Sequence, residues 1–387
     1  MNKLWEYRKI GDVCVVERGG SPRPIDKFIT DDEDGINWIK IGDTSDSMYI
    51  TETAQKIIPE GKKKSKYVKP GDFLLSNSMS FGRPYILKID GCIHDGWLVL
   101  RDEQEFFDKR FLYYYLSSKT TYEKFRSMAV GGVVNNLNSE MVRKVDVPVP
   151  SKSEQSDIAD LLDKLKQVLD SRKKELHLLD DLIKARFVEM FGDPILNPNG
   201  YLKEKTEKHI DLLSGYPFKS EQYVEEGINI CGGLIITPQK IKWNECVHWS
   251  SAEGFEDYLL NENDIVMALD RPWISEGFKV AKVDAEHLPA LLIQRTVRIR
   301  AIDMNQEYLY YCFINGGFDK HSNVTGSLVP HISAKDIRSF EIMIPPAELQ
   351  NQFADFVNQV NKSKVAVQKA LTETQLLFDS LMQQYFG

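Results

Sequence analysis

The chain has 387 residues, 42% of them hydrophobic, and a formal net charge of −8. This length favours two or three domains, and the hydrophobic share is sufficient for ordinary packed cores. No apolar run approaches the roughly 18 residues needed to cross a bilayer, and the charged start MNKLWEYRKI predicts no secretory signal. Five scattered cysteines without a CxxC pair fit a reduced cytoplasmic protein with buried thiols better than a disulfide scaffold or a zinc site.

The first 150 residues are predicted to form a mixed domain of strands and helices. Alternating apolar and polar residues predict short strands, and the glycines and prolines between them predict turns. An aromatic stretch then predicts a helix, and a polar loop follows before a closing apolar strand. In chain order these segments are IGDVCVVERGGSPRP (10–24), INWIKIGD (36–43), KPGDFLLSNSMSFGRPYIL (69–87), GWLVLR (96–101), FLYYYLSS (111–118) and GGVVNNLNSEMVRK (131–144).

A long spacer helix is predicted for residues 151–192. Ser151, followed three residues later by Glu154, is a capping-box signal, and Gly192 predicts the end of the helix. Between them the apolar residues recur every seven positions, which is typical of a coiled coil. The residues predicted to pair with a second helix are Leu162, Leu169, Leu176 and Ile183.

The same order of segments then occurs again. VDVPVPSKSEQSDIADLL (145–162) matches FEIMIPPAELQNQFADFV (340–357) at a shift of 195 residues, which indicates an internal duplication. We therefore predict a second mixed domain at 193–346 and a second spacer helix at 347–387. The corresponding segments are HIDLLSGYPFKS (209–220), INICGGLII (228–236), NENDIVMALDRPWISEGFKVAKV (261–283), RTVRIR (295–300), YLYYCFIN (308–315) and GSLVPHISAKDIRS (326–339).

The two long helices are predicted to pair with each other, because the second also has a seven-residue apolar repeat. Its predicted pairing residues are Val357, Val360, Val367, Leu371 and Phe378. The predicted fold class is therefore α+β: two similar mixed α/β domains joined by two long antiparallel coiled-coil helices, in a pseudo-twofold internal repeat. Helices of about 36 residues would be about 54 Å long. Such helices would hold the domains apart, as a protein that grips two DNA half-sites requires.

The motifs of several enzyme classes are missing from the sequence. It contains neither the GxxxxGK[ST] loop of nucleotide triphosphatases nor a GxSxG motif, an HxxxH pair or the Asn/Asp-Pro-Pro-aromatic run of amino-methyltransferases. Cys246 and His248 are close together, and such an isolated pair is usually a core or loop coincidence. The sequence therefore predicts a recognition or scaffolding component with no catalytic residue of its own.

Local basic and polar clusters are the candidates for DNA contact. Residues 1–150 contain 23 lysines and arginines against 22 acidic residues, whereas residues 193–387 contain 18 against 26. An acidic total weakens the DNA hypothesis without excluding it, because DNA binding needs only a local basic surface. Each candidate taken alone is more typical of a solvated loop, but the candidates occupy matching places in the two halves.

The densest basic cluster is predicted to contact phosphates, and the other candidates to present groups to base edges. The phosphate candidates are Lys62, Lys63, Lys64 and Lys66. The remaining candidates in the first half are Ser21, Arg23, Ser76, Asn77, Ser78, Arg83, Asn135 and Asn136. Those in the second half are Lys219, Arg271, Trp273, Lys279, Ser327 and His331.

This ordered double set of segments resembles the specificity subunit of type I restriction–modification enzymes. The matching pieces are GGSPRP and GYPFKS, GDFLLSNSMSFGRP and NDIVMALDRPW, and the segments that open the long helices, P-x-x-x-EQ-x-x-I-A in the first and P-x-x-x-LQ-x-x-F-A in the second. Together they cover essentially the whole chain. The resemblance implies two target recognition domains, each reading one part of a split double-stranded DNA sequence.

The resemblance also implies a division of labour. The two helices would set the spacer between the half-sequences and dock two modification subunits. Those partners, and not this chain, would bind S-adenosylmethionine and methylate adenine, and restriction subunits would supply ATP- and Mg²⁺-dependent translocation and cleavage. The implied chain is non-catalytic, has no cofactor of its own and does not contact a membrane.

Two other classes of protein fit part of the pattern. A fused restriction–methylation enzyme would also contain catalytic domains, and their absence from the sequence argues against it. A structural coiled-coil linker that bridges two protein partners without binding DNA stays open, and the acidic second half mildly favours it.

Overall fold

The computed structural model describes residues 5–77, 81–129, 136–322 and 330–387. By its internal contacts the chain divides into two compact units: unit 1 comprises Met1–Lys173 with Lys369–Gly387, and unit 2 comprises Lys174–Gln368. In these described ranges, no helix combines the length and the apolar character that crossing a membrane requires.

Unit 1 contains a mixed domain and parts of two long helices. Its strands are β1 (Tyr7–Lys9), β2 (Val15–Arg18), β3 (Ile29–Thr30), β4 (Ile36–Ile39), β5 (Tyr49–Ile50), β6 (Lys56–Ile57), β7 (Lys66–Val68), β8 (Phe73–Ser76), β9 (Pro84–Leu87), β10 (Gly91–Ile93), β11 (Trp97–Arg101) and β12 (Asp146–Pro148). Its helices are α1 (Ile10–Val13), α2 (Lys109–Ser117), α3 (Lys119–Ala129), α4 (Ser139–Arg143) and the first part of α5 (Lys152–Phe191).

Unit 2 contains the second mixed domain. Its strands are β13 (Lys203–Lys205), β14 (Ile210–Ser214), β15 (Ile228–Cys231), β16 (Ile236–Thr237), β17 (Lys240–Ile241), β18 (Val247–Trp249), β19 (Ile265–Ala268), β20 (Trp273–Ile274), β21 (Gly277–Phe278), β22 (Val280–Lys282), β23 (Ala290–Leu292), β24 (Thr296–Ala301) and β25 (Glu341–Met343). Its helices are the last part of α5, α6 (Gln306–Asn315), α7 (Phe318–His321), α8 (Ala334–Ser339) and the first part of α9 (Ala347–Phe386).

The sheets of the two units have matching strand orders. The main sheet of unit 1 has the order β2-β11-β8-β9-β5, and that of unit 2 has the order β14-β24-β19-β22. Beside each main sheet a parallel pair forms, β4 with β10 and β15 with β23. In both pairs an asparagine side chain donates to a backbone carbonyl at 2.8 Å, Asn37 to Asp90 and Asn229 to His287. These equivalent bonds identify Asn37 and Asn229 as corresponding residues of the two repeats.

A glycine at the start of each Gly-rich turn is required by close approach of the backbone. Its N–H donates to the central strand, Gly19 to Trp97 O at 2.9 Å and Gly215 to Thr296 O at 3.1 Å. A Cβ atom added at Gly19 or Gly215 would lie 2.1 Å from the carbonyl oxygen of residue 94 or 293, respectively. This explains why the two turns share a glycine although their other residues differ.

The long helices α5 and α9 are each 40 residues and lie within the predicted ranges. The Ser151 hydroxyl accepts the backbone N–H of Glu154 at 3.3 Å, as the capping signal predicts. α5 ends before Gly192, which has a φ of +80°. The chain leaves the helix there because glycine adopts this left-handed conformation readily.

Within unit 1, the first turns of α5 pack against the last turns of α9. Ile158 and Leu162 of α5 share an apolar cluster with Phe378 and Phe386 of α9. The aromatic helix α2 belongs to the same cluster, and the rings of its Phe111 and of Phe386 are 5.4 Å apart.

Within unit 2, the order of the helix ends is reversed. Phe187 and Phe191 near the end of α5 lie 5.5 Å, centroid to centroid, from Phe353 near the start of α9. Tyr308 of the aromatic helix α6 packs on both α5 rings. The two long helices therefore run antiparallel, and their ends form part of both domain cores.

The predicted pairing residues are the less exposed residues of the long helices. Five of them are buried: Leu162, Leu169, Ile183, Val357 and Val360. The others are half-buried: Leu176, Val367, Leu371 and Phe378. The two helices are also joined by an ion pair, in which Lys364 Nζ lies 2.5 Å from Asp180 Oδ1.

A buried glutamine attaches each long helix to its domain. The side chain of Gln155 accepts the backbone N–H of Asp108 at 2.7 Å and donates to Pro150 O at 2.9 Å. The side chain of Gln350 makes the same pair of bonds, from Asn305 N–H at 2.9 Å and to Pro345 O at 2.9 Å. Because Asp108 and Asn305 are the N-caps of α2 and α6, each glutamine joins a long helix to an aromatic helix.

The segments predicted as polar loops contain helices. α4 follows Asn138, whose side chain accepts the N–H of Met141, and α8 follows Ser333, which forms a reciprocal capping box with Asp336. Residues 131–135 and 326–329 of these segments lie outside the described residues. The loop prediction is wrong for the described parts because it treated Asn and Ser as loop formers, whereas here they cap helices.

We predict that Gln155→Leu and Gln350→Leu loosen the attachment of their helices. Each change leaves a buried N–H and a buried C=O without partners, at a cost of about 2–4 kcal/mol. Hydrogen–deuterium exchange across the N-terminal turns of α2 and α6 measures this as faster exchange. Gln167→Leu and Gln352→Leu are the matched controls, since neither residue is buried and both lie on the same helices. Unchanged exchange in the Gln155 variant would contradict the assigned role.

Candidate nucleic-acid interface

In each unit, backbone hydrogen bonds bring loops together at one end of the central strand. In unit 1, Gly20 N–H donates to Ile93 O, and Asn77 N–H donates to Gly96 O at 3.0 Å. In unit 2, Tyr216 N–H donates to Leu292 O and Leu269 N–H donates to Arg295 O, again at 3.0 Å. We call this assembly the turn edge of each unit. It comprises residues 19–24, 40–44, 77 and 94–96 in unit 1, and residues 215–220, 232–236, 269–271 and 293–295 in unit 2.

The turn edge of unit 1 surrounds a depression of about 650 Å³. Asp95 lies in its wall, where its carboxylate accepts Ser21 Oγ at 2.7 Å and Arg23 Nη2 at 3.3 Å. The hydrogen bond from Ser21, together with the charge of Arg23, lowers the pKa of Asp95. Lys40 and His94 also line the depression, and burial lowers the pKa of the His94 imidazole.

These groups have the chemistry of base-edge recognition. The ionised Asp95 accepts hydrogen bonds only, as contact with the amino group of a base requires. The Arg23 guanidinium is 80% exposed and carries donors in the planar arrangement that suits guanine or phosphate. Ser21 and Arg23 were predicted from the sequence, and the structure brings them together on one carboxylate.

Two further predicted residues of unit 1 lie beneath the surface. Ser76 is fully buried, and its hydroxyl accepts Arg83 N–H at 3.0 Å. Asn77 is also buried, and its amide donates to Asp95 O at 2.8 Å. Their side chains hold the turn edge and present no group to a ligand in this structure. Ser78 lies outside the described residues.

The predicted phosphate-binding lysines lie on and after a short 3₁₀ helix, Pro59–Lys64. Lys62 Nζ is 3.7 Å from the centroid of the Tyr67 ring, and Lys64 Nζ is 5.1 Å from that of Phe28. Lys63 is exposed, whereas Lys66 pairs with Glu17 at 2.8 Å. The backbone of Lys64 adjoins the turn edge, because a Cβ added at Gly20 would lie 3.1 Å from Lys64 O.

The remaining predictions in unit 1 lie elsewhere. Arg83 pairs with Asp46 at 3.2 Å and lines a different cavity, of about 860 Å³, which it shares with Tyr113, Phe378 and Met382. Asn136 is exposed, and Asn135 lies outside the described residues.

The turn edge of unit 2 surrounds a depression of about 580 Å³ with different chemistry. Arg271 and Arg295 line it, and both have a positive φ, of 45° and 64°. Asp270 is paired with Arg295 at 3.0 Å and with His331 Nδ1 at 2.8 Å. Leu234 projects from the same wall and is 93% exposed.

Three predicted residues of unit 2 have other environments. Lys279 is buried, its ammonium donates to Gly233 O, and burial lowers its pKa. Trp273 stacks on Phe278 at 4.8 Å. Lys219 is exposed at the start of a short 3₁₀ turn, and Ser327 lies outside the described residues.

Sequence reasoning missed Asp95, Arg295 and Leu234. Asp95 and Arg295 lie immediately before the central strand of their repeats, in the turns HDG (94–96) and IQR (293–295). Their position at a strand end was the available signal, because strand ends carry many binding residues.

Among the described ranges, no cluster of His, Cys, Asp and Glu is arranged to hold a metal ion. The Cys246 thiol lies 3.7 Å from His248 Nε2 and 3.2 Å from Asn229 Oδ1, and burial raises the pKa of Cys246. A raised pKa keeps the thiol protonated and unreactive.

Comparison with known families identifies the class of protein. The family described as the type I restriction modification DNA specificity domain matches residues 2–179 and 215–374. These two matches cover most of the chain and one of them falls in each half, so the chain belongs to this family.

The curated relatives that match this chain include specificity subunits of type I restriction enzymes. The type I restriction enzyme MjaVIII specificity subunit of Methanocaldococcus jannaschii is 22% identical over 393 residues, which are 95% of this chain and 90% of that protein. The EcoAI specificity subunit of Escherichia coli is 32% identical over 202 residues, 49% of this chain and 33% of that protein.

Two solved structures have a similar fold. The S subunit of a type I restriction–modification system from M. genitalium has a TM-score of 0.56 and 14% identity, and the match covers 100% of this chain and 97% of that one. A chain from a study of complex assembly and conformational transition of the type I system has a TM-score of 0.60 and 17% identity, with 99% and 97% covered. At these identities the likeness confirms the predicted fold class.

We predict that Lys62, Lys63, Lys64 and Lys66 give affinity and not sequence preference. Replacing all four with alanine should weaken DNA binding of the assembled complex evenly across sequences and flatten its salt dependence, by about one unit of slope for each phosphate that is no longer neutralised. Lys66→Ala alone should change the slope less than Lys63→Ala alone, since Lys66 is already paired with Glu17. The fourfold Lys→Arg variant keeps the charge and is the control. A changed recognition sequence with an unchanged slope would refute the assignment.

Proposed function

We propose that this chain is the non-catalytic specificity subunit of a type I restriction–modification complex. In this proposal each turn edge reads one half of a bipartite DNA sequence. The observation that carries the proposal is that equivalent turn edges on a repeated framework present different chemistry. Unit 1 has Asp95 with Ser21 and Arg23, whereas unit 2 has two exposed arginines, Arg271 and Arg295, and a carboxylate, Asp270, that pairs with both Arg295 and His331.

This difference is what two unlike half-sequences require. A carboxylate acceptor suits the amino groups of cytosine or adenine, whereas arginine donors suit guanine. Family membership supports DNA as the ligand over a purely structural linker. A DNA shift assay of the assembled complex at two salt concentrations tests this, because phosphate contacts give a steep salt dependence and a protein linker gives none.

The same proposal assigns the partners. Two modification subunits and the restriction subunits would assemble on this chain, and they would hold the S-adenosylmethionine, ATP and Mg²⁺ that the reactions need. The long helices are the proposed docking surface, because apolar residues lie exposed on them outside the buried seam. These residues include Leu178, Leu182, Val188, Val365, Leu376 and Leu377.

We predict that the chain on its own neither methylates nor cuts DNA. The purified chain, incubated with target DNA and S-adenosylmethionine labelled on its methyl group, should transfer no label. Adding the modification subunits should start the transfer. Label in DNA with the chain alone would show that it has catalytic groups of its own.

We also predict that the long helices set the DNA spacer. Four residues inserted in each helix, after Asp170 in α5 and after Ala370 in α9, add about 6 Å at 1.5 Å per residue. They rotate the helix only about 40° beyond a full turn, so much of the apolar seam can form again. At about 3.4 Å per base pair, the spacer should lengthen by one or two base pairs while both half-sequences are kept.

A methylation map of a host that carries the variant complex measures this. The control is the same four-residue insertion after Glu253, in an exposed loop of unit 2, which should leave the spacer unchanged. An unchanged spacer with full activity in the helix variant would mean that the helices do not set the distance.

A further inference from the structure

Leu234 is the most exposed large hydrophobic side chain among the described residues, at 93%. Single exposed apolar residues are common on protein surfaces. What distinguishes Leu234 is a rigid support, a charged setting and a counterpart in the other domain that lacks the side chain.

The support of Leu234 begins with its own turn. Gly232 O accepts the N–H groups of Ile235 at 3.1 Å and Ile236 at 3.3 Å, and both isoleucine side chains are buried. Gly233 O accepts the buried Lys279 ammonium. A buried lysine is costly, because its charge loses hydration. Here the hydrogen bond to Gly233 O offsets part of that lost hydration. Because Gly233 is next to Leu234, Lys279 acts as a positioning residue for the turn that carries Leu234.

The counterpart of Leu234 in unit 1 is Gly42. The asparagine bonds of β4 and β15 align residues 37 and 229, and this alignment places residue 42 on residue 234. The turns have the same geometry, since Asp43 N–H donates to Lys40 O at 3.1 Å, as Ile235 N–H does to Gly232 O. A Cβ added at Gly42 would meet nothing within 4 Å. The position therefore faces open space, and only unit 2 has a side chain there.

The depression beside Leu234 has more cationic than anionic side chains: its cations are Arg271, Arg295 and Lys279, and its carboxylates are Glu245 and Asp270, which pairs with Arg295. Arg271 and Arg295 line the same depression, and the side chain of Arg295 is 74% exposed. Cations attract the phosphates that border a DNA groove. An exposed apolar side chain in the same depression would then be directed toward the groove floor. In the major groove the apolar group on that floor is the C5 methyl of thymine.

We propose that Leu234 is a specificity-determining residue that contacts a thymine C5 methyl in the half-sequence read by unit 2. This inference rests on the proposed function of the chain. Contact with the methyl would favour thymine over the other bases at one position of the unit 2 half-sequence. Gly42 has no side chain and would give no such preference in the unit 1 half-sequence.

The test replaces each thymine of the target in turn by deoxyuridine, which removes only the methyl group. The target is taken from the methylation map of the assembled wild-type complex. For that complex, one replacement in the unit 2 half-sequence should weaken binding about fourfold, the effect of exposing one buried methyl group. For the Leu234→Ala complex, the same replacement should have no effect, and binding to the thymine duplex should be weaker by a similar or larger factor.

Two controls separate the inference from simpler explanations. Leu196→Ala removes another exposed leucine of unit 2, 79% exposed, and should keep the full response to deoxyuridine. Leu234→Met keeps an apolar side chain of similar length, so its complex should keep most of the response to deoxyuridine.

Three results would overturn the inference. One is a Leu234→Ala complex that responds to deoxyuridine as the wild type does. Another is weaker binding that does not depend on the methyl, as an apolar wedge between base pairs would give. The third is loss of complex assembly, which would assign Leu234 to a protein contact. These results leave the proposed function intact, whereas a wild-type complex without any sequence preference would refute both.

Discussion

The two buried glutamines fix the geometry on which both domains depend. Gln155 and Gln350 each take up the backbone N–H that begins an aromatic helix and return a hydrogen bond to the proline carbonyl just before a long helix. A glutamine side chain is suited to this place because its amide both accepts and donates. The residue before it can vary, so Glu154 in one copy and Leu349 in the other are compatible with the same junction.

The repeat therefore preserves a framework and varies a surface. Gly19 and Gly215 are required by the same close approach, and Arg101 and Arg300 pair with equivalent aspartates, Asp72 and Asp264. The turn edges built on this framework share backbone hydrogen bonds but differ in side chains. A binding surface whose backbone is fixed can change its ligand by side-chain substitution alone, because no change in the core is needed.

Much of the framework could be predicted from the sequence, because it depends on local patterns. The seven-residue apolar repeat, Ser151 and Gly192 indicate the first long helix correctly, and the duplication indicates its partner. The surface could be predicted only in part. Ser76 and Lys279 have the composition of contact residues, yet tertiary packing buries them. For Asp95 the only sequence signal was its position next to a strand end, and Leu234 had none. The role of both residues depends on which loops meet, and hydrogen bonds between residues distant in sequence decide that.

Unit 1 comprises two stretches that are far apart in the sequence, Met1–Lys173 and Lys369–Gly387. During synthesis, Ile158 and Leu162 therefore cannot pack against Phe378 and Phe386, their partners in the apolar cluster, until those later residues have been made. Unit 2 lies wholly between these pieces in the sequence, so its core can close earlier. Unit 1 therefore begins to emerge before unit 2, but its core is completed after that of unit 2. Until then the apolar face of α5 in unit 1 is exposed in the nascent chain. Such a transiently exposed face can aggregate and can bind a chaperone.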